Sequence, residues 1–403
     1  MSRVCMISQS LHSDPRVRRQ AEALADEGFE IDIICTAKNS SEEKIEKLGS
    51  ITFYKVIVER KYEDVLRYVF QYFLFFIMAF FKLQYLSLIK SYNLIQIHNM
   101  PEFHVFTAVF QKIAGVPIVL DIHDLTPELF ECKWQNNKKP ALIALIKYIE
   151  RISCRFADKI ITVNDICKQY LVNRGIPPEK ITLILNTPNQ KIFKYDSERE
   201  FKDISGGAKL IYHGTVAERF GLHTAVEAMN LLNEKIPGSL LCIYGRFDLS
   251  YKKYLDTLIA KYNLEGKVFL NGEHPQEVIY NFIRLSDFGI VSYVDNEYMN
   301  LCLSTKMFEY NASLLPVVAS RLKAFSMVFN DDSIAYVEPD NAEALAEKLI
   351  QLCHDPDKRK TMICNAYSVL QTISGQIMSE RYLNLISSTI LEKKSLKAST
   401  SGI

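Results

Sequence analysis

The run Leu303-Ser304-Thr305-Lys306-Met307-Phe308-Glu309-Tyr310, followed by Asn311 to Leu315 and then Pro316-Val317-Val318-Ala319-Ser320, reads as a helix start, a helix and a buried strand. Ser304 or Thr305 is the residue type that caps a helix. The first turn of such a helix presents free N–H groups to an anion, and Lys306 adds positive charge beside them. Glu309 lies further along and is placed to accept hydrogen bonds from vicinal hydroxyls, as acidic residues do for a ribose in nucleotide-binding sheets. The same residues also fit a capped amphipathic helix with no ligand. In either reading a helix feeding an apolar strand is part of a βαβ repeat.

Outward from this run, short apolar stretches ending in polar or glycine residues alternate with helical patterns, which predicts parallel sheets. One series has strands near Arg3–Ser8, Glu30–Cys35, Ile51–Val56, Leu94–His98, Ile118–Ile122, Lys159–Val163 and Ile181–Leu185, with helices starting near Asp14, Tyr62, Pro101, Pro140 and Asp165. A second has strands near Leu210–His213, Leu240–Tyr244, Val268–Leu270, Phe288–Ser292, Pro316–Ala319 and Ile334–Val337. A polar stretch with a Gly-Gly pair separates them. The expected organisation is an α/β domain over 1–190, a linker over 191–208, a second α/β domain over 209–372, a helix over 373–394 packing back on the first domain, and a flexible tail over 395–403. Doubly wound sheets bind ligands beyond the carboxyl ends of their strands, so two of them facing each other would enclose a cleft.

Other strand ends carry candidate groups. In Tyr212-His213-Gly214-Thr215 and on to Arg219-Phe220-Gly221, a strand meets a glycine turn, and the Arg219 guanidinium is placed either to clamp phosphate oxygens or to lie solvated in the loop. Tyr244-Gly245-Arg246 ends another strand. Ser8-Gln9-Ser10 follows the first strand, and Asp14-Pro15-Arg16-Val17-Arg18-Arg19 opens the first helix with arginines that either reach an anion or form a solvated face. His123, in Asp121-Ile122-His123-Asp124, follows a strand and can exchange one hydrogen bond with a ligand; His98 is a weaker candidate.

Lys plus Arg (48) nearly balances Asp plus Glu (47), which sets no global field for nucleic acid. The nine cysteines show no C-x-x-C pair, and Met1 runs straight into a strand-like segment, so a cytoplasmic chain of buried thiols is expected. Tyr68–Phe81 is apolar except for Gln71 but covers only 14 residues, fewer than the ~20 of a membrane span. It reads as a buried helix or as an interfacial one giving peripheral membrane contact. Asp331-Asp332 and Asp295-Asn296-Glu297 lack the setting of a nucleotide-bound divalent site, so no metal or cofactor is expected. No G-x-S-x-G elbow and no G-x-x-x-x-G-K-[ST] loop is present.

Leu303 to Tyr310 with its following strand resembles the donor-site signature of the retaining GT-B glycosyltransferases of family 4, and the likeness extends over nearly the whole chain. It implies two Rossmann-like domains and a nucleoside-diphosphate-sugar donor, with transfer to a hydroxyl acceptor at retained configuration, the departing phosphate taking the acceptor's proton. Glu309 matches the second glutamate of the family's E-x7-E motif, which contacts the ribose. Leu301 stands at the first, with Asn300 and Glu297 beside it to supply the sugar contact. Ser304 and Thr305 match the loop whose N–H groups hold the diphosphate; Arg219, one place displaced, matches its basic residue; Tyr244-Gly245-Arg246 matches the loop near the nucleobase. Asp14 to Arg19 resembles the family's first helix, His123 the histidine that touches the donor sugar, and Asn186-Thr187-Pro188 the turn into the linker. The implied acceptor is a cell-envelope glycan, lipid-linked in one form. A non-catalytic scaffold of the same architecture and a sugar-nucleotide epimerase are the alternatives.

Overall fold

Strands that are apolar on both faces are satisfied as inner members of a parallel sheet with helices on either side. The computed structural model describes residues 2–11, 14–37, 41–58, 65–133, 140–195 and 199–400, and it has this arrangement twice. One compact unit comprises Met1–Asn186 with Met378–Ile403, the other Thr187–Ile377.

In the first unit β1 (Arg3–Leu11), β2 (Glu30–Thr36), β3 (Ile45–Leu48), β4 (Ile51–Val56), β5 (Leu94–His98), β6 (Ile118–Ile122), β7 (Lys159–Thr162) and β8 (Ile181–Leu183) run in the order β3-β4-β2-β1-β5-β6-β7-β8. Only β3 is antiparallel to its neighbour; it escapes the sequence pattern because Ile45 and Leu48 are exposed. The connecting helices are α1 (Pro15–Asp26), α2 (Val65–Ile89), α3 (Val109–Ile113), α4 (Thr126–Lys133), α5 (Pro140–Phe156) and α6 (Asp165–Asn173). The strand order reverses beside β1, so right-handed crossovers place α1 on one face and α2, α3 and α5 side by side on the other. The helix expected near Pro101 is a 3-10 segment, Glu102–Ala108, continued by α3. Tyr62, the expected start of α2, lies outside the described residues.

The arginine-rich start of α1 is neither solvated nor aimed at a ligand at Arg16. The Asp14 carboxylate caps the helix at the Arg16 and Val17 amides, and Pro15 sets its first turn. Arg16 then turns inward and donates to both carboxylate oxygens of Asp121 at 2.8 Å, to Asn186 Oδ1 at 2.7 Å and to the Ile184 carbonyl at 3.2 Å. Gln20 also donates to Asp121, and His98 Nδ1 lies 3.3 Å from it. Burial alone would raise the Asp121 carboxyl, but Arg16 and His98 outweigh burial and hold it well below the usual carboxylate range.

The apolar segment near Tyr68 forms a longer helix than its 14-residue run suggested, because Leu83, Leu86, Leu88 and Ile89 continue the pattern past Lys82. By length and composition Val69–Ile89 could cross a membrane. Phe75, Ala79, Leu83 and Leu86 are nevertheless packed in the core. Against this helix His104 is sealed between Phe75, Phe76 and Phe103, and burial pushes its imidazole down to about 4.

In the second unit β9 (Lys209–His213), β10 (Leu240–Tyr244), β11 (Val268–Asn271), β12 (Phe288–Val291), β13 (Val317–Ser320) and β14 (Ala335–Val337) make an all-parallel sheet ordered β11-β10-β9-β12-β13-β14. Its helices are α7 (Leu222–Lys235), α8 (Leu249–Lys261), α9 (Gln276–Arg284), α10 (Thr305–Ala312), α11 (Lys323–Ser326), α12 (Ala342–Cys353) and α13 (Pro356–Thr372). The last helix, α14 (Gly375–Thr400), joins the first unit from Met378, where Tyr382 donates to Gln96 Oε1 at 2.6 Å. It is helical through Ser395–Thr400, where a flexible tail was expected; Leu396, Lys397 and Ala398 are good helix formers that extend an already packed helix. All nine cysteines are free thiols; Cys5, Cys35, Cys154, Cys167 and Cys353 are buried as expected, whereas Cys132, Cys242 and Cys302 are partly exposed and Cys364 is exposed.

Two measurements check this framework. Asp121→Asn should lower the unfolding free energy of the first unit by roughly 3–5 kcal/mol, since it strands the buried Arg16 charge. In urea the parent midpoint should be partly recovered by Arg16→Met with Asp121→Leu; an unshifted Asp121→Asn midpoint would contradict the network's role. His104 has its ordinary value of 6.5 when unfolded and about 4 when folded. The folded value is the lower one, so stability holds above pH 6.5 and declines below it, by roughly 2 kcal/mol at about pH 5. His104→Phe should flatten that part of the melting-temperature profile.

Candidate functional site

The strand order of the second unit reverses between β9 and β12, the place where open parallel sheets bind ligands. Gly214 follows β9 at φ 110° and Gly245 follows β10 at φ 152°. The two turns stack: Gly214 N–H donates to the Tyr244 carbonyl at 2.9 Å, and a Cβ on Gly245 would overlap the Gly214 carbonyl. A Cβ on Gly214 would come within 2.8 Å of Lys306 Cε, so glycine is what lets the lysine lie over this turn.

Lys306 sits in the first turn of α10 and is buried. Its Nζ donates to the Tyr293 hydroxyl at 3.2 Å and lies 5.1, 5.2 and 5.7 Å from the ring centres of Tyr212, Phe220 and Tyr293. Among the described residues no carboxylate is within ion-pair distance of it. A desolvated ammonium facing rings and one hydroxyl keeps donor capacity for an anion. Arg219 lies in the 3-10 turn Glu218–Phe220, with its guanidinium 4.6 Å from the Phe220 ring centre and likewise no ion pair among the described residues. Phe220 therefore carries both cations.

Ser304 occupies the N-cap position of α10, but its hydroxyl makes no cap bond and lies instead 3.1 Å from the Tyr293 hydroxyl. The expected side-chain cap at Ser304 is thus absent, its hydroxyl being turned to Tyr293. Glu309, on the same helix, is buried with Oε2 3.2 Å from His213 Nε2. The His213 ring stands edge-on to Tyr310, whose hydroxyl donates to the Ile211 carbonyl. A cation, a helix start and a carboxylate with a histidine partner therefore meet around one glycine turn.

Other candidates are placed differently. The Asn300 amide donates to Asp295 and to the Asn296 carbonyl while its oxygen accepts the Lys323 N–H at 2.9 Å, so it braces the loop rather than offering groups to a ligand. Leu301 is buried, and Leu303 is partly exposed ahead of α10. Tyr244 stacks on Phe282 with ring centres 4.5 Å apart at 9°, and His274 lies edge-on to both. Burial raises the Tyr244 phenol to about 12, so it stays protonated. Arg246 is exposed.

In the first unit Ser10 lies within β1 rather than after it, because the strand runs on past an irregularity beyond Ile7; its hydroxyl is 2.7 Å from that of Ser8. His123 follows β6, and its backbone N–H donates to Asn99 Oδ1 at 3.1 Å. Asn99 in turn donates to the buried Glu102. The His123 ring is partly exposed, with Nε2 3.9 Å from Asp124 and Nδ1 unpartnered among the described residues. His98 is buried beside Asp121, with Nδ1 3.3 Å from its carboxylate and Nε2 3.3 Å from Gln96 Nε2.

His213, Phe220, Tyr293 and Phe282 join the site without having stood out as candidates in the sequence. His213 had a signal, being the last strand residue before the Gly214 turn; the aromatics had none, since a ring beside a distant lysine leaves no local pattern. No group of three His, Cys, Asp or Glu side chains among the described residues could hold a metal ion.

Comparison with known proteins bears on the fold and the family. Solved structures of sucrose-phosphate synthase from Thermosynechococcus elongatus (17% identity, 97% of this chain and 100% of that one, TM-score 0.78) and of HepE from Anabaena with UDP and glucose (17%, 96% and 100%, TM-score 0.71) share the fold. A chitobiosyldiphosphodolichol beta-mannosyltransferase from Candida glabrata is 21% identical over 302 residues, 68% of this chain and 66% of that protein. The Escherichia coli protein WcaL, assigned to colanic acid biosynthesis, is 25% identical over 197 residues, 48% of this chain and 47% of its own. The matched segments thus span less than two thirds of either relative. Residues 16–187 match the model described as Glycosyltransferase Family 4, and residues 195–369 the one described as Glycosyl transferases group 1. With two Rossmann-like units of the GT-B class and these matches along almost its whole length, the chain belongs to the family 4 glycosyltransferases.

Proposed function

We propose that the chain transfers a sugar from a nucleoside-diphosphate donor to a hydroxyl acceptor with retention of configuration and without a metal. The observation that carries this reading is the juxtaposition of Lys306, the start of α10 and Glu309 around the Gly214 turn. Lys306, Arg219 and the first amides of α10 receive the diphosphate, Glu309 takes the ribose hydroxyls, and Tyr244 on its Phe282 stack lies near the base. On the first unit, His123 has a ring nitrogen able to meet a sugar hydroxyl. Charge on the leaving diphosphate grows towards the transition state, where groups already in place cost no reorganisation. Positive side chains then do the work that a divalent ion does elsewhere.

Retention rests on the family resemblance, with the departing phosphate accepting the acceptor's proton on the same face. The names of the relatives, one a chitobiosyldiphosphodolichol beta-mannosyltransferase and one assigned to colanic acid biosynthesis, favour a lipid-linked or polysaccharide acceptor. Nine free thiols favour a cytoplasmic setting. The buried Leu301, where the family carries an acid, favours a second reading: a scaffold that binds the donor without turnover.

Thermal stabilisation by a panel of UDP-, GDP- and other sugar donors, followed by release of nucleoside diphosphate, tests both readings. Binding with release supports the enzyme, binding alone the scaffold, and binding of none removes the donor-site assignment. Glu309→Ala should weaken donor binding by ~1–3 kcal/mol in calorimetry. Arg219→Ala and Lys306→Ala should lower turnover more than donor affinity. Activity should survive chelator, and the anomeric proton of the product by NMR should keep the donor's configuration.

A further inference from the structure

The α2 helix has two apolar faces. The stripe Phe75, Ala79, Leu83 and Leu86 is fixed in the core, so this helix cannot cross a bilayer without dismantling the first unit. On the opposite side Phe70, Phe73, Ile77, Phe81, Tyr85 and Leu88 recur every three or four residues and are all exposed, a strip about 27 Å long. The strip continues sideways over the same layer. Phe80 meets Phe110 of α3 at 5.9 Å between ring centres, and Phe106 meets Phe156 of α5 at 5.1 Å. Beside these contacts Phe110, Ile113, Leu145 and Tyr148 are exposed.

Charge decides what covers this face. The only carboxylates on α2, the 3-10 segment, α3 and α5 are Glu102 and Glu150, each 1% exposed. Arg151 and Arg155 are exposed, Lys147 is partly so, and Lys82 lies over the Tyr54 and Tyr85 rings. Polar groups beside the strip turn inward: Gln84 donates to the Thr107 carbonyl, and Ser87 accepts from Gln111. A protein partner would expect about one hydrogen bond per 100–200 Å² of contact, and the strip's outward residues offer only the Tyr85 hydroxyl. Aromatic and aliphatic side chains flanked by cations, with no exposed acid among the described residues of these helices, suit the headgroup boundary of an anionic bilayer.

We infer that the α2–α3–α5 layer is a membrane-docking face, with α2 lying in the plane of an anionic lipid surface. This stands apart from the transfer reading, because vesicle binding and donor binding are read separately. The test is co-sedimentation of the full chain with vesicles of phosphatidylcholine alone and of phosphatidylcholine with phosphatidylglycerol, beside a thermal melt and a light-scattering mass. The parent should pellet with the anionic vesicles and less so in high salt. Phe73→Ser, Phe81→Ser and Leu88→Ser together should cut the bound fraction by at least about tenfold with an unchanged melt. Lys147→Glu with Arg151→Glu should abolish the preference for anionic lipid. Should the triple variant melt early, Leu88→Asp alone, at the 85% exposed position, reads the same loss. Parent protein that stays in the supernatant with both vesicles would overturn the inference. So would equal binding by the variants, or a dimer mass that the triple change returns to monomer without any vesicle binding.

Discussion

Lys306 is a cation held among three aromatic rings and one hydroxyl, and it lies over a turn that only glycine permits. The rest of the candidate site follows from this placement. The Gly214 turn must stack on the Gly245 turn to leave the lysine room, which fixes the ends of β9 and β10 against each other. Tyr293 must point its hydroxyl at both Lys306 and Ser304, which draws the segment after β12 over the start of α10. Glu309 then falls beside His213 at the same strand end. A buried ammonium with no carboxylate beside it among the described residues is costly unless something anionic visits it, and the transfer reading supplies that visitor in the donor's diphosphate.

The first unit is organised around a charge that is already paired. Arg16 joins the start of α1 to Asp121 in β6 and to Asn186, where the unit's main segment ends. Gln20, Gln96 and Tyr382 extend the network to α14, so the chain's last helix is tied to its first. His123, two residues beyond Asp121, inherits a fixed strand end, and Asn99 holds its backbone. One unit thus satisfies its central cation internally, and the other leaves its cation to aromatic rings.

Much of this was legible in the sequence. Twelve of the thirteen strands read from apolar runs need no more than a residue or two moved at an end, and β1 runs on three residues past Ser8. The edge strand Ile45–Leu48 was missed because exposed positions carry no apolar alternation. Lys306 and Glu309 stood out because helix start, charge and carboxylate are local to one segment. Arg16 misled: three arginines at a helix start look solvated, and nothing nearby reveals that Asp121, far along the chain, neutralises one of them. Asn300 looked available next to Leu301, yet its amide is used within its own loop. The apolar run near Tyr68 posed a choice between core and surface that composition could not resolve, because the helix serves the core with one stripe and exposes the other. What stays illegible in each case is a contact between residues distant in the chain.

The most direct measurement is a crystal structure of the chain with the nucleoside diphosphate that stabilises it most. The account predicts diphosphate oxygens within hydrogen-bond distance of Lys306 Nζ and the first amides of α10, with the ribose hydroxyls on Glu309. A nucleotide bound elsewhere, with Lys306 still resting on the Tyr293 hydroxyl and Glu309 on His213, would contradict it.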